Sequence, residues 1–213
     1  MPSFSIDSLP DVPGAMRRNL LRSIGIEARA HDIFIWLTQL RVAPYSYDFI
    51  DNGRRKSPSF IINNLPPLRI NTHFLLAFHV SAFEEDSFIA CRYCEPVNPP
   101  FSLCLRGLHM EYRIEENGHE ATLWCKISGY IRRNALSRFF FSAFSLVNRI
   151  MMKRQLRNIK KYSEMAFAGK AGSGRLNLAG YYPRSCIHWW IFCRRHNCRE
   201  LIGSSDSGAQ FRG

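Results

Sequence analysis

Residues 101–131 read FSLCLRGLHMEYRIEENGHEATLWCKISGYI, and this stretch decides the fold. Apolar and polar residues alternate on both sides of Glu116-Asn117-Gly118. Successive side chains of a strand point to opposite faces, so each half reads as a half-buried strand. Asn-Gly tolerates the positive φ angles that a tight hairpin requires, so it joins the two runs as an antiparallel pair. The expected strands are 101–115 and 119–131. Two parities are open for the buried face. One puts Leu103, Leu105, Leu123 and Cys125 inside, in phase with Phe74, Leu76 and Phe78, and the other puts Met110, Tyr112 and Trp124 there. A slip of one residue exchanges the two sets.

Downstream of the hairpin the period changes. From about Asn134 to Met165, Phe140, Phe144, Val147, Met151 and Ile159 recur near one stripe, widened by Phe139, Phe141 and Leu156. Arg149, Lys153, Arg154, Arg157, Lys160 and Lys161 cover most of the remainder. A helix of that length spans about 45 Å, enough to cross a whole sheet. Upstream, His73–Phe83 and Ser87–Cys94 flank the charged turn Glu84-Glu85-Asp86 as a second strand pair. A first strand is expected over 21–29. A helix follows from His31-Asp32 through Ile33, Trp36, Leu37 and Leu40, and Pro44 opens a short second one containing Tyr45, Asp48 and Phe49. The reading is an α+β domain of order β-α-α-β(n)-α over residues 20–165. A flexible lead-in (1–19), broken by Pro2, Pro10, Pro13 and Gly14, precedes it, and a basic, disordered extension (166–213) follows.

Composition narrows the class. The chain has 213 residues, 46% hydrophobic and 13% aromatic, which suits one domain with a sizeable core rather than a disordered segment. Its formal charge of +12 favours anionic partners or a solvated basic surface. The most apolar window, Phe139–Val147, falls far short of the roughly 20 residues a membrane span needs. The first residues lack an apolar run followed by a small-residue cleavage site. With seven cysteines, an odd number, the chain is read as cytoplasmic with free thiols.

Between the first two helices and the strands lies LTQLRVAPYSYDFIDNGRRKSP (37–58), aromatic, charged and longer than an ordinary connection. This block resembles the segment after the first helix in a bacterial branch of the START-like superfamily, also called SRPBCC or the polyketide cyclase/dehydrase and lipid-transport group. MMKRQLRNIKKYSE (151–164) is similar to the end of that branch's C-terminal helix. The resemblance implies a helix-grip fold, an antiparallel sheet wrapped around the long helix, with a cavity between them for an apolar ligand. It carries over no catalytic residue. Residues 59–72 depart from the branch by lacking a glycine-rich turn, and the tail after Ala168 has no counterpart in it.

Candidate ligand contacts are Tyr45, Tyr47, Asp48, Asp51 and Arg54 from the block, with Phe78, Phe140 and Phe144 from the sheet and helix. Tyr offers a ring face and a hydroxyl, and Arg a fork for a carboxylate. The plainer alternative is a structural corner in which the acids pair with Arg54 or Arg55 and the tyrosines pack down. Cys91 and Cys94 have CxxC spacing but end a strand, where residues three apart face opposite ways. Cys186, His188, Cys193, His196 and Cys198 could supply a tetrahedral zinc shell, although the spacing fits no known pattern and a basic tail explains them as well. His109 and Glu111 share a strand face, as acid/base pairs and ordinary surface pairs both do. No motif implies a cofactor. The functional expectation is a START-like protein that binds or carries an apolar small molecule or lipid, with or without an anionic group. The alternatives are a cyclase or hydratase-like enzyme in the same pocket, and a basic protein that binds anionic membrane or, with less support, nucleic acid.

Overall fold

The computed structural model describes residues 2–8, 12–47, 56–75, 78–93, 105–118 and 120–176. Strand β1 (Ala15–Ile26) leads into helix α1 (Ala30–Thr38) and a short 3-10 turn, Gln39–Arg41. Then come β2 (Ile61–Ile62), β3 (His73–Phe74), β4 (Phe78–Glu84), β5 (Phe88–Tyr93), β6 (Leu105–Asn117) and β7 (Glu120–Arg132). Helix α2 (Ala135–Phe167) and β8 (Ser173–Gly174) complete the order. One antiparallel sheet runs β1-β7-β6-β5-β4-β3, while β2 and β8 pair separately in parallel. The second short helix expected after Pro44 lies largely outside the described residues.

The hairpin forms as its sequence requires. Asn117 pairs with Glu120, and Gly118 takes a φ of +71° in the turn. On the inner face Met110, Tyr112 and Ile114 stand opposite Ile127, Cys125 and Leu123, and all six are buried. The buried face therefore draws Leu123 and Cys125 from one expected set and Met110 and Tyr112 from the other. The cause is a β-bulge between Arg106 and His109, where Gly107 adopts a φ of +52° and puts the two halves of β6 out of phase. Trp124 lies on the other face, its indole N–H donating to Glu115 at 2.7 Å.

Helix α2 crosses the inner face beside α1. Its N-cap, Asn134, accepts from the Ser137 backbone N–H at 2.8 Å, satisfying one of the free donors of the first turn. Met152, Leu156 and Ile159 join Ile33, Trp36 and Leu37 of α1 in the core. Gln155 is buried among them: its amide donates to the Pro44 carbonyl at 2.6 Å, and its oxygen accepts from the Tyr112 hydroxyl at 2.5 Å. The carboxyl-terminal turns are tied to the end of β1, through Lys160 to the Gly25 carbonyl (2.8 Å) and through Glu164 to the Glu27 N–H (3.1 Å).

The opposite sheet face carries a strap the sequence did not announce. Phe4, just before a 3-10 turn at Ser5–Ser8, and Ile6 within it are buried on it. Glu111, fully buried, accepts from the Ser5 hydroxyl (2.6 Å) and the Ile6 N–H (3.2 Å) and pairs with Arg113 (2.9 Å). Lys126 bonds to Asp7, holding that carboxyl below its usual range, and sits over the Phe4 ring. Within the stretch 1–19, β1 starts at Ala15, and Phe4 and Ile6 are packed. Helix α2 runs to Phe167, and β8 returns the chain to β2, with Asn64 bonding the Leu176 backbone at 2.9 and 3.0 Å.

Candidate functional site

The block 37–58 builds a corner rather than a pocket where it is described. Tyr45 is 1% exposed and adopts a φ of +53°, a left-handed conformation that costs a non-glycine residue energy unless its surroundings hold it. They do so here. Asn158 donates to the Tyr45 carbonyl at 2.8 Å, and the ring meets Trp36 and Tyr162 edge-on at 5.8 and 5.9 Å, those two being stacked at 4.8 Å. Tyr47 lies under the Arg154 guanidinium, 4.5 Å from ring centre to carbon. Asp48, Asp51 and Arg54 fall outside the described residues, as do Cys186, His188, Cys193, His196 and Cys198. Phe78 packs on Tyr93 at the β4–β5 pair, 5.4 Å between centroids. Phe140 and Phe144 belong to the amino-terminal half of α2, roughly 15–20 Å along the helix from Arg154. The described members therefore fall in three places and form no single site.

The interior between α2 and the sheet is filled by side chains at its centre. Tyr112, Cys91 and Cys125 are all buried there, and burial pushes each of these acids up, Cys125 to about 12. Among the described residues no group of His, Cys, Asp and Glu could hold a metal ion. Glu111, which shares a strand face with His109, is committed to the strap.

A recess opens instead where the amino-terminal half of α2 leaves the sheet. It measures about 530 Å³ between β1, the end of β7 and the helix. Leu20, Ile131, Phe141 and Leu146 give it an apolar lining, and Phe144 backs Phe141 at 6.1 Å. Arg18, Arg138 and Arg149 also line it, each solvent-exposed and without an ion-pair partner among the described residues. Asn19, Ser142 and Ser145 add neutral polar groups. The Ser145 hydroxyl is buried and has no hydrogen-bond partner among the described residues.

Local sequence explains this arrangement. On β1, Arg18 and Leu20 are two residues apart and so share a face. On α2, Arg138, Phe141, Ser142, Ser145 and Arg149 recur at three- and four-residue steps along one side. The sequence reading missed the recess because its two walls are more than 100 residues apart in the chain. The signal that could have found it is a serine repeat, Ser137 and Ser145, on the helix face turned to the sheet, where small residues leave space.

A six-stranded antiparallel sheet, its first strand paired with its last full-length one, grips a 33-residue carboxyl-terminal helix. This is the helix-grip arrangement that the sequence resemblance implied. No family model matches the chain, and no curated protein matches it. Solved structures do resemble it in fold. The ZhuI aromatase/cyclase from Streptomyces sp. R1128 is 12% identical, with 74% of this chain covering 99% of that one at a TM-score of 0.46. Norcoclaurine synthase from Thalictrum flavum is 8% identical (76% and 96% covered, TM-score 0.46). The major latex-like protein 151 from Panax ginseng is 11% identical (69% and 97% covered, TM-score 0.42). Such identities and TM-scores transfer neither ligand nor reaction to this chain. No described helix is long and apolar enough to cross a membrane.

Proposed function

We propose that this protein binds an apolar molecule carrying an anionic end, in the recess between β1, β7 and the amino-terminal half of α2. The observation that carries the reading is three guanidinium groups, unpaired among the described residues, around an apolar floor that also holds a buried serine hydroxyl with no described partner. Apolar pockets with a few polar groups are how proteins hold small molecules, the apolar part supplying affinity and the polar part orientation. A carboxylate, sulfate or phosphate at the rim would take a bidentate pair from Arg138 or Arg149, and a ligand oxygen would satisfy Ser145. Binding is favoured over a cyclase or hydratase reaction because the lining contains neither a carboxylate nor an imidazole to move a proton.

The test is titration of the full chain with a long-chain fatty acid and with the corresponding alcohol, read by calorimetry. The acid should bind at least tenfold more tightly, and Arg138→Gln with Arg149→Gln should erase that difference. Equal binding of acid and alcohol, or an unchanged preference in the double variant, would overturn the proposal.

A further inference from the structure

Helix α2 has a second apolar face that nothing among the described residues covers. Leu136, Phe139, Phe140, Leu146, Val147 and Ile150 are each between 40% and 71% exposed. At 100° per residue these six, with Ala143 between them, fall in an arc of roughly 120°. The face that packs on the sheet, through Ser137, Phe141, Ser145 and Met152, lies diametrically opposite. The first half of the helix is therefore apolar on both sides, which for a helix at a protein surface marks a place where something docks.

Charge identifies the partner. The α2 sequence holds seven basic residues and a single acid, Glu164, which is bonded to Lys160 at 2.5 Å. Past Ile150 the same arc continues as Arg154, Arg157 and Lys161, and Arg157 and Lys161 border a basic surface depression of about 420 Å³ with Lys160 and Lys170. Arg132 and Arg133 lie exposed just before the helix. A second copy docked through α2 would bring two such helices together against their mutual repulsion. Residues 177–213, with five basic and two acidic side chains, carry the same sign. A nucleic acid would pair with the arginines and leave the phenylalanines wet.

We propose that this face of α2 docks on an anionic lipid bilayer. The helix lies in the plane of the interface, with the stripe from Leu136 to Ile150 entering the headgroup–acyl boundary over roughly 21 Å. Arg154, Arg157 and Lys161 contact the headgroup charges. The stripe projects as a ridge rather than a groove, and a ridge of Phe, Leu, Val and Ile inserts into lipid where a partner helix would need a cleft. The recess described above opens on the flank of this ridge, since Leu146 belongs to both. Docking does not depend on what the recess holds.

The experiment is flotation of the full chain with vesicles of phosphatidylcholine containing 30% phosphatidylserine and with vesicles of phosphatidylcholine alone. The triple variant Phe139→Ser, Leu146→Ser, Val147→Ser keeps every charge and removes the ridge. The native chain should float with the anionic vesicles, bind the neutral ones at least tenfold less, and lose at least tenfold in the triple variant with its thermal midpoint unchanged. Binding equal to the native chain in the variant would assign any vesicle affinity to charge alone and overturn the proposal. So would absence of binding to anionic vesicles at 50 mM salt, or a native dimer in light scattering that the variant dissociates.

Discussion

Gln155 is the keystone between α2, the α1 corner and the sheet, and its replacement by methionine tests how the fold is locked. The change keeps volume and removes both amide groups, so packing is nearly preserved. It strands two buried groups, the Tyr112 hydroxyl and the Pro44 carbonyl, which Gln155 reaches at 2.5 and 2.6 Å. Each buried polar group left without a partner costs about 1–3 kcal/mol, and the Cys125 thiol near the Tyr112 hydroxyl is a weak substitute. The expected loss is about 3 kcal/mol, which at a slope of about 2 kcal/mol per molar urea lowers the midpoint by about 1.5 M. Tyr112→Phe alone leaves the Gln155 oxygen unsatisfied and should cost about 1–2 kcal/mol. The double variant strands Pro44 alone, so its cost should fall about 3 kcal/mol below the sum of the single ones. Urea denaturation of the four proteins, followed by circular dichroism, closes the cycle. Additivity within about 0.5 kcal/mol would show that Tyr112 and Gln155 do not act on one another and would refute the reasoning.

Three further outcomes follow from particular residues. Burial beside His79 lowers His73 from 6.5 to about 4, so between pH 6.5 and 4 the unfolded chain takes up a proton that the folded one refuses. Stability should therefore fall as pH drops through that window, by at most about 3 kcal/mol, and His73→Phe should flatten the profile of midpoint against pH. Gly107→Ala forces a side chain onto a φ of +52° and sets its Cβ 3.2 Å from the Tyr130 ring, so it should cost about 1–2 kcal/mol in the same urea assay, where a neutral result would mean the bulge is dispensable. Cys91 and Cys125, buried and with raised thiol pKa values, should resist iodoacetamide at pH 8 in the native chain and react after unfolding; rapid native labelling in peptide mapping would contradict their burial.

The hairpin and the helix after it were legible because both rest on local signals, a turn residue that takes positive φ and a change of period from 2 to 3.6. Glu111 was not: a carboxylate on a strand looks like a surface residue until the segment around Phe4 and Ile6 is laid across it. Tyr45 attracted a functional reading because an aromatic in a long charged connection suggests a site. Its ring is instead closed in by Trp36 and Tyr162 and its carbonyl by Asn158, each distant in sequence. Phe140 and Val147 counted toward the packing stripe, yet both lie on the exposed side of α2. Apolar residues ring the first half of that helix, so periodicity had no basis for choosing which side meets the sheet.

By itself, then, the sequence determined the elements and their order, since turn chemistry, helix capping and hydrophobic period act over a few residues. Tertiary structure alone decided which faces those elements bury, because one bulge at Gly107 reverses the parity of a strand and one docking angle selects the face of a helix. It also assembled the recess, since Arg18 and Arg149 become neighbours only once β1 has paired with β7 and α2 has been laid beside them.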